Sequence, residues 1–175
     1  MPSDRSVYRK IQVVLEVRHT NAVDSRTELI DLIKNAKDPT FFTRQYDDET
    51  DEFIERISPK AIRRTVKLCE TLGLLDPRAS LTPEGRRASR RDAFEEEVAD
   101  RVRAVLGASD VDLSVTKGLI AKGFKENPVV LPTARMLFDA LGPSMSYQLF
   151  SRLLTLLSHC GGAEATQRKL YLRIT

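Results

Sequence analysis

The stretch from Ser58 to Gly73, SPKAIRRTVKLCETLG, constrains the fold more than any other part of the chain. Ser58 is a residue type that caps helix N-termini, and Pro59 stands at the first helical position, where a missing N–H has no cost. Ile62, Val66, Cys69 and Leu72 recur at the spacing of one helical face. At about 100° per residue, Lys60, Arg63, Arg64, Lys67 and Thr71 gather on the opposite side. Gly73 suits the left-handed residue that ends a helix, and Leu74 and Leu75 return the chain to a core. The pattern predicts a helix over 59–73, apolar on one face and cationic on the other.

The charge is local. Between Lys60 and Arg91 there are nine basic residues (Lys60, Arg63, Arg64, Lys67, Arg78, Arg86, Arg87, Arg90 and Arg91) and three acids (Glu70, Asp76 and Glu84), a net +6. The whole chain carries +3, so the remainder is net −3. Solvated helix faces also carry Lys and Arg. The segment that follows adds to the signal: Leu81-Thr82 reads as the start of a short strand, Pro83-Glu84-Gly85 as a turn, and Arg86, Arg87 and Arg90 follow it. A basic patch on an otherwise acidic chain is the electrostatic footprint of a phosphate-backbone partner.

Residues 41–91 resemble the winged helix-turn-helix family. The resemblance rests on Phe53-Ile54-Glu55-Arg56-Ile57-Ser58 before the recognition helix, Leu72-Gly73-Leu74-Leu75 after it, and Leu81-Thr82-Pro83-Glu84-Gly85-Arg86 as the wing. It covers somewhat under a third of the chain and is specific for fold, not for biological role. It implies that the helix enters the major groove of duplex DNA through Lys60, Arg63, Arg64, Lys67 and Thr71, and that Arg86, Arg87 and Arg90 hold the backbone from the wing. The acids Asp47, Asp48, Glu49, Asp51, Glu52 and Glu55 depart from that pattern. They read best as charges at a helix N-terminus, where the dipole favours them, and they also suit a partner site.

Elsewhere the periodicity is mostly helical. Residues 7–18 fit both a strand, with Ile11, Val13, Leu15 and Val17 alternating, and a helix face of Val7, Ile11, Val14, Leu15 and Arg18 capped by Ser3 or Asp4; helical neighbours favour the helix. A helix over 25–36 is capped by Ser25 and broken at Asp38-Pro39. A long helix over 89–106 carries Phe94, Val98, Val102, Val105 and Leu106 inward, with Ser89 as its cap. Helices at 114–124, 132–141 and 144–159 follow, with breaks at Asn127-Pro128 and Gly142-Pro143, then an alternating strand at 169–174. That order gives a second, weaker winged-helix-like unit at about 111–175. The third of these helices is apolar almost all round, through Leu149, Phe150, Leu153, Leu154, Leu156 and Leu157, so it packs between domains or protomers. Any nucleic-acid contact by this half falls to Arg168, Lys169 and Arg173. The expected fold is mainly α with small β-hairpin wings, a tandem winged helix-turn-helix with domains at 1–106 and 107–175.

Other chemistry is missing. Ser114 and Lys117 have the spacing of some serine acyl enzymes, but Ser114 is better explained as a helix cap. His19 and His159 lack partners at metal-ligand spacing, and Cys69 and Cys160 lie far apart in the chain. There is no glycine-rich phosphate loop. Trp is absent and aromatics are 6% of residues, which argues against stacking-rich readers of single strands. No apolar run approaches the length of a membrane span and no secretory h-region opens the chain, so a cytoplasmic protein is expected. The reading is a non-enzymatic duplex-DNA-binding protein without cofactor or metal. It is either a transcription regulator or a DNA-binding accessory subunit of mobile-element or phage-defence machinery, with a homodimer or protein partner through its C-terminal half. The alternative is a winged-helix interaction subunit of a multi-subunit nucleic-acid machine that makes no DNA contact.

Overall fold

The computed structural model describes residues 6–126 and 133–160, with side chains except those of 123–126. The described chain is mainly helical with one small antiparallel hairpin. In order, it has α1 (Val7–Thr20), α2 (Arg26–Ala36), a 3-10 turn (Pro39–Phe41), β1 (Phe42–Asp47), β2 (Glu52–Ile57), α3 (Pro59–Thr71), α4 (Pro83–Ala88), α5 (Phe94–Gly107), α6 (Leu113–Glu126), α7 (Ala134–Leu141) and α8 (Tyr147–His159). Two compact units divide the chain. One ends at Phe94 and the other begins at Glu95, at the N-terminal end of the helix whose C-terminal end was expected to be the boundary.

In the first unit, α1, α2 and α3 pack against one another around Ile11, Val14, Leu15, Leu29, Ile33, Ile62, Val66, Cys69 and Leu72, all fully buried. Residues 7–18 are helical, and Ser6 caps them by accepting from the Arg9 N–H. Ser25 caps α2 and Ser58 caps α3, each through its hydroxyl. Gly73, at φ 67°, ends α3: its N–H donates to the Glu70 carbonyl and that of Leu74 to the Cys69 carbonyl. This αL exit satisfies the last carbonyls of the helix and turns Leu74 into the core.

Residues 47–55 are not a helix N-terminus. They are the tip and second strand of a hairpin, with Arg44 opposite Glu55 and Tyr46 opposite Phe53. Thr43, Tyr46, Phe53, Ile54 and Ile57 have the branched and aromatic side chains that strands prefer. Asp51 adopts the left-handed conformation at the turn, φ 57°, which Asp tolerates. The hairpin base is closed by Ser58 N–H on the Phe41 carbonyl, 2.9 Å.

Likewise, Thr82-Pro83-Glu84 is a helix start and not a wing turn. Thr82 accepts from the Gly85 N–H, Pro83 takes the first position and Glu84 complements the dipole. The strand pairing expected here is reduced to one antiparallel bridge, Leu75 with Leu81. Between them the Asp76 carboxylate accepts from the N–H groups of Arg78 and Ser80, both at 2.8 Å. Ser89 ends α4 and does not cap α5, its hydroxyl donating to the Arg86 carbonyl at 2.8 Å.

In the second unit, α5 buries Phe94's successors Val98, Ala99, Val102 and Leu106. Asp112 caps α6: its carboxylate accepts from the Ser114 N–H and hydroxyl, 2.8 and 2.6 Å, so Ser114 is the donor to the cap and not the cap itself. Thr133 caps α7, which ends at Gly142 and packs on α8. Phe150, Leu153, Leu154 and Leu156 of α8 are fully buried within the single chain. Of the two placements expected for this helix, between domains or between protomers, these four side chains need no second copy to be covered. The expected strand at 169–174, Arg168, Lys169 and Arg173, the break at Asn127-Pro128 and the caps Ser3 and Asp4 lie outside the described residues.

Candidate nucleic-acid interface

The burial of Ile62, Thr65, Val66, Leu68 and Cys69 leaves one side of α3 to solvent, and Lys60, Arg63, Arg64, Lys67 and Thr71 all lie exposed on it. Among the described residues Lys60, Arg63 and Arg64 make no ion pair. Their charges stay available because no acid of α3 lies a turn away from them. Lys67 differs: its Nζ lies 3.1 Å from Glu70 Oε2. The Glu70 side chain is only 10% exposed, and its other oxygen, buried without a hydrogen bond, faces Arg26 Nε of α2 at 3.4 Å. Glu70 thus ties α2 to α3 and draws off part of the Lys67 charge. Thr71 donates to the Lys67 carbonyl at 3.0 Å, so its hydroxyl is engaged by its own helix.

Arg86, Arg87 and Arg90 form a second group, on α4 and the turn after it. Arg86 Nε reaches the Leu81 carbonyl at 3.4 Å, and Arg87 pairs with Glu84 at 3.3 Å, while Arg90 is exposed. α4 packs on α1, where Ser89 Oγ meets His19 Nδ1 at 3.4 Å and Arg91 lies 3.9 Å from Glu16. The turn before α4 is fixed to α1 as well, Arg18 Nε donating to the Ala79 carbonyl at 2.6 Å. The structure therefore unites four cations on the face of α3 and carries the other three on the separately braced α4 and the turn after it, not on strands.

The chain just before α3 holds a further feature. The hairpin that leads into α3 exposes Tyr46 and Phe53, whose rings meet edge to face. Arg44 lies over the Phe53 ring. The Tyr46 hydroxyl donates to the Asp51 carboxylate, which holds the phenol above its ordinary pKa. The signal in the sequence was the branched and aromatic residues Thr43, Tyr46, Phe53, Ile54 and Ile57 on either side of the acids.

The rest of the described surface offers little chemistry. Burial pushes the Cys69 thiol far up, and burial with the Glu95 charge pushes Cys160 up to about 12 against the opposing Arg103, so both are protonated at neutral pH. Among the described residues no three metal-ligating side chains converge, and no helix is long and apolar enough to cross a membrane. No protein-family model, curated protein or solved structure matches the chain.

Proposed function

We propose that the protein binds duplex DNA through α3 in the manner of a winged helix-turn-helix protein. The observation that carries this reading is the set of exposed, unpaired Lys60, Arg63 and Arg64 on a helix whose other side is fully buried. Such a helix is rigidly held and fits the width of the major groove, where Arg and Lys read guanine edges and phosphates. The order of three packed helices followed by the Leu75–Leu81 pairing supports a winged helix with an abbreviated wing. Arg86, Arg87 and Arg90 then extend the contact from α4. The chain departs from the usual short turn between the two helices of such motifs by placing the hairpin between α2 and α3. In the second unit α6, α7 and α8 supply the three helices of a tandem copy. A regulator of transcription, or a DNA-binding accessory subunit of mobile-element or phage-defence machinery, is the role that follows.

The test is fluorescence anisotropy of a labelled random duplex across a salt series. Each neutralised phosphate contributes about −0.9 to the log–log slope, so the free cations of α3 predict a slope of about −3, steeper if α4 contributes. Arg63→Glu with Arg64→Glu abolishes binding. No binding by the wild-type chain at low salt overturns the reading.

The hairpin favours a second reading, a protein-interaction module of a nucleic-acid machine. Its acids repel phosphate, and its exposed aromatic pair suits a protein surface. Under that reading the same charge reversal leaves function intact.

A further inference from the structure

The hairpin carries a surface that duplex binding leaves unused. Tyr46 and Phe53 oppose each other across the strands with ring centroids 5.2 Å apart, and they are 50% and 59% exposed. The Arg44 guanidinium, 4.7 Å from the Phe53 centroid, and the Asp51 carboxylate on the Tyr46 hydroxyl brace both rings in place. Around them stand Asp47, Asp48, Glu49, Asp51, Glu52 and Glu55, against Arg44 and Arg56 alone. Arg56 pairs with Asp47 at 3.4 Å, but Asp48, Glu49 and Glu52 make no ion pair among the described residues.

We infer that this aromatic, acidic hairpin docks on the cationic face of α3 in a second copy of the chain, reciprocally. The charges are complementary: three unmatched carboxylates on the hairpin meet Lys60, Arg63 and Arg64, which are unmatched on the helix. The rings give the arginines a π-face to stack on, an attraction that strengthens as water leaves. Lys60, Arg63 and Arg64 lie within about 6 Å of helix, and Asp48, Glu49 and Glu52 gather at the hairpin tip. Because β2 runs through Ser58 directly into α3, each copy presents both halves of the contact side by side. A two-fold axis then uses each half twice and closes the assembly at two copies. Two hairpin–helix contacts still make a small interface, so the dimer is reversible and weakened by salt. The consequence for function rests on the duplex reading: the docked hairpin covers the cations that phosphates need, so dimer and duplex compete.

Sedimentation of the full chain at low and high salt tests this, with two exposed triple variants. One reverses the hairpin (Asp48→Lys, Glu49→Lys, Glu52→Lys), the other the helix (Lys60→Glu, Arg63→Glu, Arg64→Glu). Each alone repels itself at both contacts and is expected to associate about tenfold or more weakly than wild type. Mixed in equal amounts, they present opposite charges at both contacts, and a dimer re-forms. Phe53→Ser also weakens the wild-type dimer. A wild-type chain that stays monomeric at low salt overturns the proposal and leaves the hairpin to a foreign basic surface. Failure of the mixture to associate, with both variants folded by circular dichroism, overturns it too. The duplex reading is judged separately by anisotropy: charge-swap rescue without duplex binding by any variant sinks that reading and leaves the dimer standing.

Discussion

Gly85 is the position where a missing side chain lets two elements meet. A Cβ there would overlap the Leu74 carbonyl and lie 3.2 Å from Leu81 Cδ2. The Leu74 carbonyl is backbone, pinned by the Thr82 N–H, and it cannot swing aside as a side-chain tip does. Gly85→Ala is therefore expected to destabilise the chain by about 1–3 kcal/mol, the range for over-packing, read as a lower urea midpoint at unchanged slope. Gly118 in α6 is the control: nothing lies within 4 Å of its added Cβ, so Gly118→Ala stabilises by about 0.4–1 kcal/mol. Equal midpoints for wild type and Gly85→Ala would mean that α4 does not press on Leu74. This glycine was visible in the sequence, but its reason was not. Beside Pro83-Glu84 it reads as a turn residue, and the carbonyl it accommodates is brought near only by folding.

Helix ends carry information at the next scale. Asp112 accepts three hydrogen bonds at the start of α6, from the Ser114 hydroxyl, the Ser114 N–H and the Val115 N–H, and these hold its carboxyl below the ordinary 3.8. A folded-state value below the unfolded one means stability that is present above the unfolded value and lost as pH falls through the folded one. The wild-type melting temperature is thus expected to fall from about pH 5 to about pH 2 more steeply than that of Asp112→Asn, which keeps the acceptor oxygen and removes the charge. Parallel curves for the two would show that the cap carries no charge dependence. The elements with long repeats were legible in advance. α3 declared itself by Ser58, Pro59 and the Ile62, Val66, Cys69 and Leu72 stripe, and all four are buried. The hairpin did not, because each strand is six residues long and its acids mimic a helix start. Strand pairing is a relation between Tyr46 and Phe53, or Arg44 and Glu55, and neither segment shows it alone.

At the scale of the whole molecule, the question is which surfaces hold copies together and which hold one copy up. The leucines of α8 invite the first answer, since Leu149, Leu153, Leu156 and their neighbours cover most of the helix. Burial decides for the second: Leu153 is 0% exposed in the single chain, and Phe138 of α7 meets Phe150 with centroids 5.5 Å apart. The contact proposed between copies uses the exposed charges of the first unit, which are distant in kind from an apolar core. Leu153→Ala should then act on folding alone. The expected loss is about 2–5 kcal/mol, seen as earlier unfolding in urea and faster amide exchange in α7 and α8. Sedimentation of the still-folded fraction should match wild type at every salt concentration, because the hairpin and α3 are untouched. The charge-reversed helix variant should do the reverse, changing assembly with little change in the urea midpoint. If Leu153→Ala instead yields a fully stable chain whose only change is a smaller assembly, then α8 is the contact between copies and the division between core and interface is drawn in the wrong place.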